Sequence, residues 1–502
     1  MLFIIKPYKF LFLFSIREGS CMLFIIKTLQ VPLSALHIVR VRGWGFYISK
    51  ILFMDNSKQA TLELGTKPVG KLLMQYALPA IAAMTAASLY NMTDSIFIGQ
   101  GCGALAISGL AITFPLQNLG AAFGAGVGIG ASTCISVRLG QKDYDTAQRI
   151  FGNAVTLNLI IGVAFSIVTL LFLNPILMFF GASEATLPYA REYMVITLAG
   201  NVISHMFFGM NSILRAASKP RSAMMASIMT VILNAILSPI FIWPLHMGIG
   251  GAALATIIAQ FCVLMWQLRI FSNPQCIVHF RRGIYRPVSR IIKNILAIGM
   301  SPFAMNVCSC IVIIFINNAL TLHGGDLAVG AYGICNKIGF IFIMINMGMN
   351  QGMFPIAGYN YGARNYDRLL TVLKYTMIIA TCITTLGWVI AQTLPYECAR
   401  LFTTDETLIK IAERSIRITM LLFPLVGVQM VCTGFFQSIG KAKISMLLSL
   451  SRQLLFFLPV LLVLPHFYQV DGVWMAQPIS DIVSLVVAAV MLMKYIKRFK
   501  KA

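Results

Sequence analysis

The sequence predicts an all-α polytopic membrane protein of twelve transmembrane helices, arranged as two six-helix repeats. The prediction rests on composition, on the spacing of the apolar runs and on an internal repeat. Hydrophobic residues make up 58% of the 502 residues and charged residues only 11%, whereas a soluble protein of this length exposes far more charge. The net charge of +23 does not indicate a nucleic-acid partner, because the basic residues recur in short clusters between apolar runs.

The internal repeat consists of motifs that recur at one constant offset along the chain. Gly-Gln-Lys-Asp-Tyr at 140–144 corresponds to Gly-Ala-Arg-Asn-Tyr at 362–366. The same register relates Arg-Ala-Ala-Ser-Lys at 215–219 to Gln-Ser-Ile-Gly-Lys at 437–441. Duplicated bundles that face each other across a central cavity are a recurring architecture of alternating-access transporters. The repeat therefore predicts a transporter.

The apolar runs from Lys71 onwards each have about the 20 residues that cross a bilayer. The spans predicted in the first repeat are 72–97, 104–137, 150–173, 190–214, 222–243 and 249–272. Those predicted in the second repeat are 294–320, 327–356, 370–394, 409–435, 444–465 and 472–493.

The distribution of basic residues predicts the orientation and the domains. Every second gap between spans carries several Lys or Arg, whereas the alternate gaps hold only Arg191, Arg400 and Lys410. Because loops rich in Lys and Arg face the cytoplasm, both termini are predicted to be cytoplasmic. The membrane expected for this chain is a bacterial inner membrane. The predicted domains are an N-lobe at 54–275, a basic cytoplasmic linker at 276–293 and a C-lobe with a basic tail at 294–502.

Residues 1–53 are predicted to be a non-native extension. Met-Leu-Phe-Ile-Ile-Lys at 1–6 recurs at 22–27, and short apolar runs alternate with Lys and Arg. No small-residue cleavage site follows a single apolar core, as a secretory signal would require. We expect translation to begin at Met54, where a short polar tail leads into the first span.

Ionisable residues inside the spans are few, and each is a functional candidate because burying a charge in a membrane is costly. Asp94 lies in the first span with apolar sequence on both sides, and it is predicted to carry the coupling proton or cation. For Asp481, in the last span, a structural role is expected. Lys337 is predicted to face the cavity, and Arg452 to extend to the interface by snorkelling.

Polar uncharged residues also recur at helical spacing. Asn234 and Ser238 are four apart and therefore share one face of the fifth span, and Thr256 follows in the sixth. The glycines between 120 and 130 predict close helix packing or a flexible point. The residues predicted to line the substrate cavity are Asn201, His205, Lys337, Gln351, Arg452 and Asp481.

Several motifs identify a resemblance to a known family. Tyr-Asn-Met-Thr-Asp-Ser-Ile-Phe-Ile-Gly at 90–99, Gly-Ile-Gly-Gly-Ala-Ala-Leu-Ala-Thr at 248–256 and, above all, Gly-Tyr-Asn-Tyr-Gly-Ala at 358–363 resemble the MATE (multidrug and toxic compound extrusion) family. The resemblance runs from Leu72 to Tyr495, and the chain is most similar to the prokaryotic DinF-like branch. It implies two lobes in a V-shaped bundle around a central cavity. It also implies a monomer that exports organic cations or amphipathic toxins against inward H⁺ or Na⁺, without a cofactor.

Carried over by position, the family's cation site in the first lobe corresponds to Asp94, Asn234, Ser238 and Thr256, with Na⁺ expected at Asp94, Asn234 and Thr256. One departure matters. Where many relatives have Asn-x-x-x-Asp-Pro, this chain has Asn-Ala-Ile-Leu-Ser-Pro at 234–239, so that a hydroxyl replaces one carboxylate. Because the site then carries one formal negative charge instead of two, we expect a pH gradient to drive transport better than a Na⁺ gradient.

Three alternatives stay open at this stage. A lipid-linked-oligosaccharide flippase of the same superfamily would show further spans and more cationic residues in the cavity than Lys337 and Arg452. A major-facilitator carrier has the same helix count, but Arg-Leu-Gly-Gln-Lys-Asp-Tyr at 138–144 does not resemble its signature. An intramembrane enzyme would need paired acids, a metal triad or a nucleophile with its base, and the spans show none of these patterns.

Overall fold

The computed structural model describes residues 4–5, 10–17, 20–27, 57–102, 104–403 and 405–499. The side chains of residues 87–96, and so that of Asp94, lie outside this description, as do those of the strands, of 57–60 and of some single positions. Residues Met1–Ala60 and Thr61–Ala502 form two compact units. In the first unit, β1 (Ile4–Ile5), β2 (Phe10–Arg17) and β3 (Ser20–Lys27) form an antiparallel sheet in that order. The rest of the predicted extension 1–53 lies outside the described residues.

All the regular secondary structure described in the second unit is helical, and turns and loops connect the helices. The helices of the first repeat are α1 (Ser57–Thr66), α2 (Val69–Cys102), α3 (Ala104–Gly140), α4 (Tyr144–Leu171), α5 (Leu173–Phe179), α6 (Leu187–Ala199), α7 (Asn201–Ala216), α8 (Pro220–Ile242) and α9 (Gly248–Phe271). Those of the second are α10 (Ser289–Gly362), α11 (Tyr366–Thr393), α12 (Pro395–Arg400), α13 (Glu406–Thr419), α14 (Phe423–Ser438), α15 (Ala442–Leu450), a π-helical turn (Ser451–Phe457), α16 (Leu458–Val463) and α17 (Pro465–Phe499).

The twelve predicted spans correspond to these helices. Nine helical segments of the described chain are long and apolar enough to cross a membrane, and two bent pairs of shorter helices raise the number to eleven. The twelfth is α2, which covers the predicted first span. The predicted seventh and eighth spans are the two parts of α10, Ser289–Gly325 and Leu327–Gly362, which a non-helical Gly325 separates.

The fourth and tenth spans each consist of two helices that meet at a bend. The axes of α6 and α7 are bent by 57°, and those of α13 and α14 by 52°. Asn201 begins α7 and Phe423 begins α14, so the two bends stand at corresponding positions of the two repeats. A repeat in sequence is therefore also a repeat in helix geometry.

Backbone conformations outside the helices follow the same register. Lys142 and Arg364 both adopt positive φ, at 61° and 58°, and each stands between two spans. Ser218 and Gly440 form a second such pair, at 62° and 74°. Since a residue other than glycine rarely adopts positive φ, this correspondence confirms the two six-helix repeats.

Glycines bring the two lobes into close contact. A Cβ atom at Gly130 of α3 would collide with the carbonyl oxygen of Ile295, and one at Gly352 of α10 would lie 2.6 Å from the Cα atom of Ala77. We call this contact the interlobe seam. Six of its glycines form three pairs that the sequence repeat relates, namely Gly126 and Gly348, Gly130 and Gly352, and Gly140 and Gly362. Gly299 and Gly358 also lie at the seam, and the other repeat has Ala77 and Ser136 at their positions.

The interlobe seam lies toward the ends of the helices that carry the basic loops, since Gly140 ends α3 and Gly362 ends α10. Towards the start of the second part of α10, near Leu327, a Cβ atom at Gly333 or Gly339 would meet no atom within 4 Å. Within the N-lobe, a Cβ atom at Gly128 would lie 2.9 Å from the Cα atom of Gly209. The close helix packing predicted for the glycines of 120–130 is thus confirmed.

Candidate functional site

The N-lobe polar cluster consists of Asn234 and Ser238 on α8 and Thr256 on α9. The hydroxyl of Ser238 donates to Asn234 Oδ1 at 2.9 Å, and Asn234 Nδ2 donates to Thr256 Oγ1 at 2.8 Å. Asn234 and Ser238 are fully buried. The helical spacing of four that predicted a shared face is confirmed by the first of these bonds, and the second joins the two helices.

Asp94 belongs to α2, which packs along α8 and α9, the two helices that carry the N-lobe polar cluster. Its side chain lies outside the described residues, so its part in the site stays a prediction. The helix packing is the one that a joint site of Asp94, Asn234, Ser238 and Thr256 requires.

The described part of the N-lobe polar cluster offers oxygen atoms without formal charge. Amide and hydroxyl oxygens accept hydrogen bonds and are suitable ligands for hard cations such as Na⁺. Among the described residues, no three His, Cys, Asp or Glu side chains lie together as a metal site would need. The formal negative charge of a cation site here is predicted to come from Asp94.

A second polar cluster lies in the C-lobe, which we call the C-lobe ion pair: Arg452 in the π-helical turn, with Asp481 and Gln477 on α17. Arg452 Nε donates to Asp481 Oδ1 at 3.0 Å, and Gln477 Nε2 donates to Asp481 Oδ1 and Oδ2 at 3.2 and 3.3 Å. The Asp481 side chain is only 4% exposed and that of Arg452 only 20%. Contrary to the expectation that Arg452 extends to the interface, its guanidinium therefore turns inward to a carboxylate.

Three hydroxyl and amide groups that the sequence reasoning missed hold this turn in place. Ser480 Oγ donates to the carbonyl oxygen of Arg452 at 2.7 Å, and Gln453 Nε2 donates to Ser309 Oγ at 2.8 Å. A signal was present, since residues 477, 480, 481 and 484 are polar at the spacing of one helix face within an apolar span. The π-helical turn itself has no comparable signal in the sequence.

The remaining cavity candidates occupy different environments. Asn201 and His205 are buried, and Asn201 Nδ2 donates to the carbonyl oxygen of Gly162 at 3.4 Å. Gln351 Nε2 lies 3.5 Å from Met84 Sδ, across the interlobe seam. The ammonium group of Lys337 is exposed and lies 5.6 Å from the centre of the Phe402 ring, a distance at which cation–π attraction operates. A role for these four residues in binding substrate stays a prediction.

Comparison with known proteins identifies the family. The MatE family matches residues 79–240 and 300–462, one segment in each lobe. The chain belongs to the MatE family. This membership confirms the predicted transporter fold and the prediction that the chain is not an enzyme.

Relatives within the MatE family match almost the whole chain. The multidrug export protein MepA of Staphylococcus haemolyticus is 27% identical over 403 residues, which are 80% of this chain and 88% of that protein. MepA of Staphylococcus aureus strain N315 is 26% identical over 431 residues, which are 86% and 94% of the two chains.

Solved MATE structures superimpose on the fold at similar identity. One, described as the outward-facing conformation of a multidrug resistance MATE family transporter, gives a TM-score of 0.83 at 26% identity and covers 88% of this chain and 99% of its own. The same values hold for a transporter of Pyrococcus furiosus whose binding pocket is described as having reverse polarity. This MatE protein is a multi-pass membrane protein of the same architecture.

Proposed function

We propose that this MatE protein is a cation-coupled antiporter that exports organic cations or amphipathic drugs by alternating access. The observation that carries the proposal is the buried N-lobe polar cluster, which joins α8 to α9 beside the helix that carries Asp94. Binding of a cation among those helices changes their packing, and the packing within the N-lobe governs how the N-lobe contacts the C-lobe. The relatives named multidrug export proteins support the substrate class.

The interlobe seam supports the alternating-access part of the proposal. Close backbone contacts at glycines join the lobes at one end of the interface, and contacts of this kind are either made or broken rather than graded. With both termini in the cytoplasm, as the basic loops predict, the seam closes the cytoplasmic end and the cavity opens outward. The likeness to an outward-facing MATE structure supports this orientation.

We infer that protons drive the exporter better than Na⁺. Ser238 supplies a hydroxyl where a second carboxylate would favour Na⁺, and Asn234 and Thr256 are neutral. One carboxylate, that of Asp94, suffices to carry a proton, whereas dehydrating Na⁺ requires more compensating charge. We also propose that the protein acts as a monomer in a bacterial cytoplasmic membrane.

Dye efflux in inverted membrane vesicles tests the proposal. The protein is expressed in a host that lacks its own drug exporters, and a pH gradient and a Na⁺ gradient are imposed separately. Accumulation of a lipophilic cationic dye driven by the pH gradient, and abolished by a protonophore, is the expected result. Equal dye movement with and without either gradient would contradict coupled export, and movement with Na⁺ alone would contradict the proton assignment.

A further inference from the structure

The C-lobe ion pair leaves most of its guanidinium unused. Arg452 donates through Nε to Asp481, but neither terminal nitrogen of its guanidinium donates to an acceptor within the part of the chain that the structure describes. Arginine carries its remaining N–H groups on these two nitrogens, in a planar fork that matches a carboxylate or a phosphate. A guanidinium whose terminal nitrogens have no acceptor inside a membrane protein is positioned to bind an anionic group.

The depth of Arg452 indicates which medium its exposed part faces. Arg452 lies about 15 Å along the helix axis from Ala442, where the eleventh span begins, which is about half the thickness of a hydrocarbon core of about 30 Å. A cation whose exposed surface faced lipid at that depth would be costly, so such groups face a water-filled interior. The exposed fifth of the Arg452 side chain is therefore expected to face the interior between the lobes.

The two repeats show that the fold does not need this ion pair. The position that corresponds to Arg452 in the N-lobe is Thr230, whose hydroxyl donates to the carbonyl oxygen of Ala226 on its own helix at 3.0 Å. Asp481 corresponds to Ala259. Continuous α8 there takes the place of the π-helical turn. The N-lobe thus packs the same pair of helices without buried charge, and the C-lobe ion pair needs another reason.

The π-helical turn supplies a sign of function and a means of positioning. Turns of this type are rare and occur frequently at functional sites, because the extra residue releases backbone carbonyls from the helix. Here the carbonyl of Arg452 accepts from Ser480, while Gln453 donates to Ser309 of α10. Arg452 is therefore held from two neighbouring helices, so that its terminal nitrogens keep a fixed direction.

We propose that Arg452 is the substrate's anion-binding group, which takes the carboxylate of amphipathic molecules in the cavity. Asp481 and Gln477 are positioning residues, since Asp481 fixes the guanidinium through Nε and compensates its charge while the cavity is empty. This inference rests on the proposed export function and deepens it, because it names the residue that distinguishes substrates with a carboxylate from substrates without one.

A matched pair of rhodamine dyes tests the inference, one with a free carboxylate and the other its methyl ester. Arg452→Gln combined with Asp481→Asn removes both charges and keeps a hydrogen-bonded pair, and Arg414→Gln combined with Asp471→Asn is the control, because that ion pair lies on an exposed part of the protein. We expect the first double variant to bind the carboxylate dye about tenfold more weakly, with binding and efflux of the ester unchanged. The control should resemble the wild type with both dyes.

Binding, measured by fluorescence anisotropy in detergent, is separate from efflux, so the two proposals can fail independently. A wild type that binds the carboxylate dye but moves neither dye would contradict export and leave the anion site standing. If the Arg452→Gln and Asp481→Asn double variant lost binding of both dyes equally, or lost binding of neither, the assignment of the anion site would be overturned.

Two further measurements keep the inference falsifiable. If the double variant does not fold, Arg452→Lys can replace it, because this variant keeps the charge beside Asp481 but loses the planar fork. It should weaken binding of the carboxylate dye and leave binding of the ester unchanged. Displacement of that dye from the wild type by phosphatidylglycerol would assign the anion site to a lipid headgroup and overturn the substrate assignment.

Discussion

A single residue, Ser238, sets the charge of the N-lobe polar cluster. Its hydroxyl is fully buried and donates to Asn234, so the two side chains lie together as their spacing of four requires. A carboxylate at this position would stand beside the same amide and would double the formal negative charge of the predicted site. The choice between serine and aspartate is thus a choice of ion affinity rather than of fold.

Ser238→Asp is expected to create Na⁺ dependence. Na⁺ should stabilise the variant, and a rise in Tm on addition of Na⁺ would show this. At a hundredfold excess of Na⁺ over its Kd, binding raises the free energy of unfolding by about 2.7 kcal/mol. Ser238→Asn, which has nearly the same shape and no charge, is the matched control and should not respond. A Ser238→Asp protein indifferent to Na⁺, or a wild type driven by Na⁺ alone, would contradict this account of the site.

Asp94→Asn is expected to abolish coupling. The amide keeps the size and the hydrogen bonding of the side chain but cannot titrate, so efflux driven by either gradient should fall about tenfold or more while the protein still inserts and binds dye. Asp471→Asn, which removes a carboxylate from the exposed pair with Arg414, should leave efflux intact. Normal efflux by Asp94→Asn would move the coupling site to Asp481 or His205.

Among the secondary-structure elements, α3 and α10 have the largest part in the contact between the lobes. Glycines of the interlobe seam let the backbones of the two lobes approach more closely than a Cβ atom would permit, and six of these glycines form pairs at corresponding positions of the two repeats. The seam is therefore pseudo-symmetric, as expected when two copies of one unit face each other.

Gly352→Val is expected to disrupt the interlobe seam. The added side chain would meet Ala77, and overpacking of this kind costs about 1–3 kcal/mol. Gly339→Val is the control, because it introduces the same side chain in the same helix where a Cβ atom meets nothing within 4 Å. Spin-label distances between the lobes should lengthen, and efflux should fall, in the first variant only. Equal behaviour of the two variants would show that the seam does not gate transport.

At the scale of the whole molecule, the described helices account for all twelve predicted spans, and all of these spans lie within Thr61–Ala502. The described residues of the segment 1–53 add no span to this count. A chain that begins at Met54 therefore retains both lobes.

A protein that starts at Met54 is expected to insert and to export dye at the rate of the full chain, measured per molecule in the membrane. Both would be compared at matched expression in the same vesicles. Loss of insertion or of efflux in the shorter protein would show that residues 1–53 are a functional part of the chain.

The sequence by itself determined the twelve spans, the two repeats and the pair Asn234 and Ser238, because hydropathy and helical spacing are local properties that a bilayer enforces. It also revealed the close packing of the glycine-rich part of α3. The bends within the fourth and tenth spans, the interlobe seam and the C-lobe ion pair were decided by tertiary structure alone. The ion pair shows the reason: Arg452 and Asp481 lie on different helices, and no periodicity within either helix records that the two side chains meet.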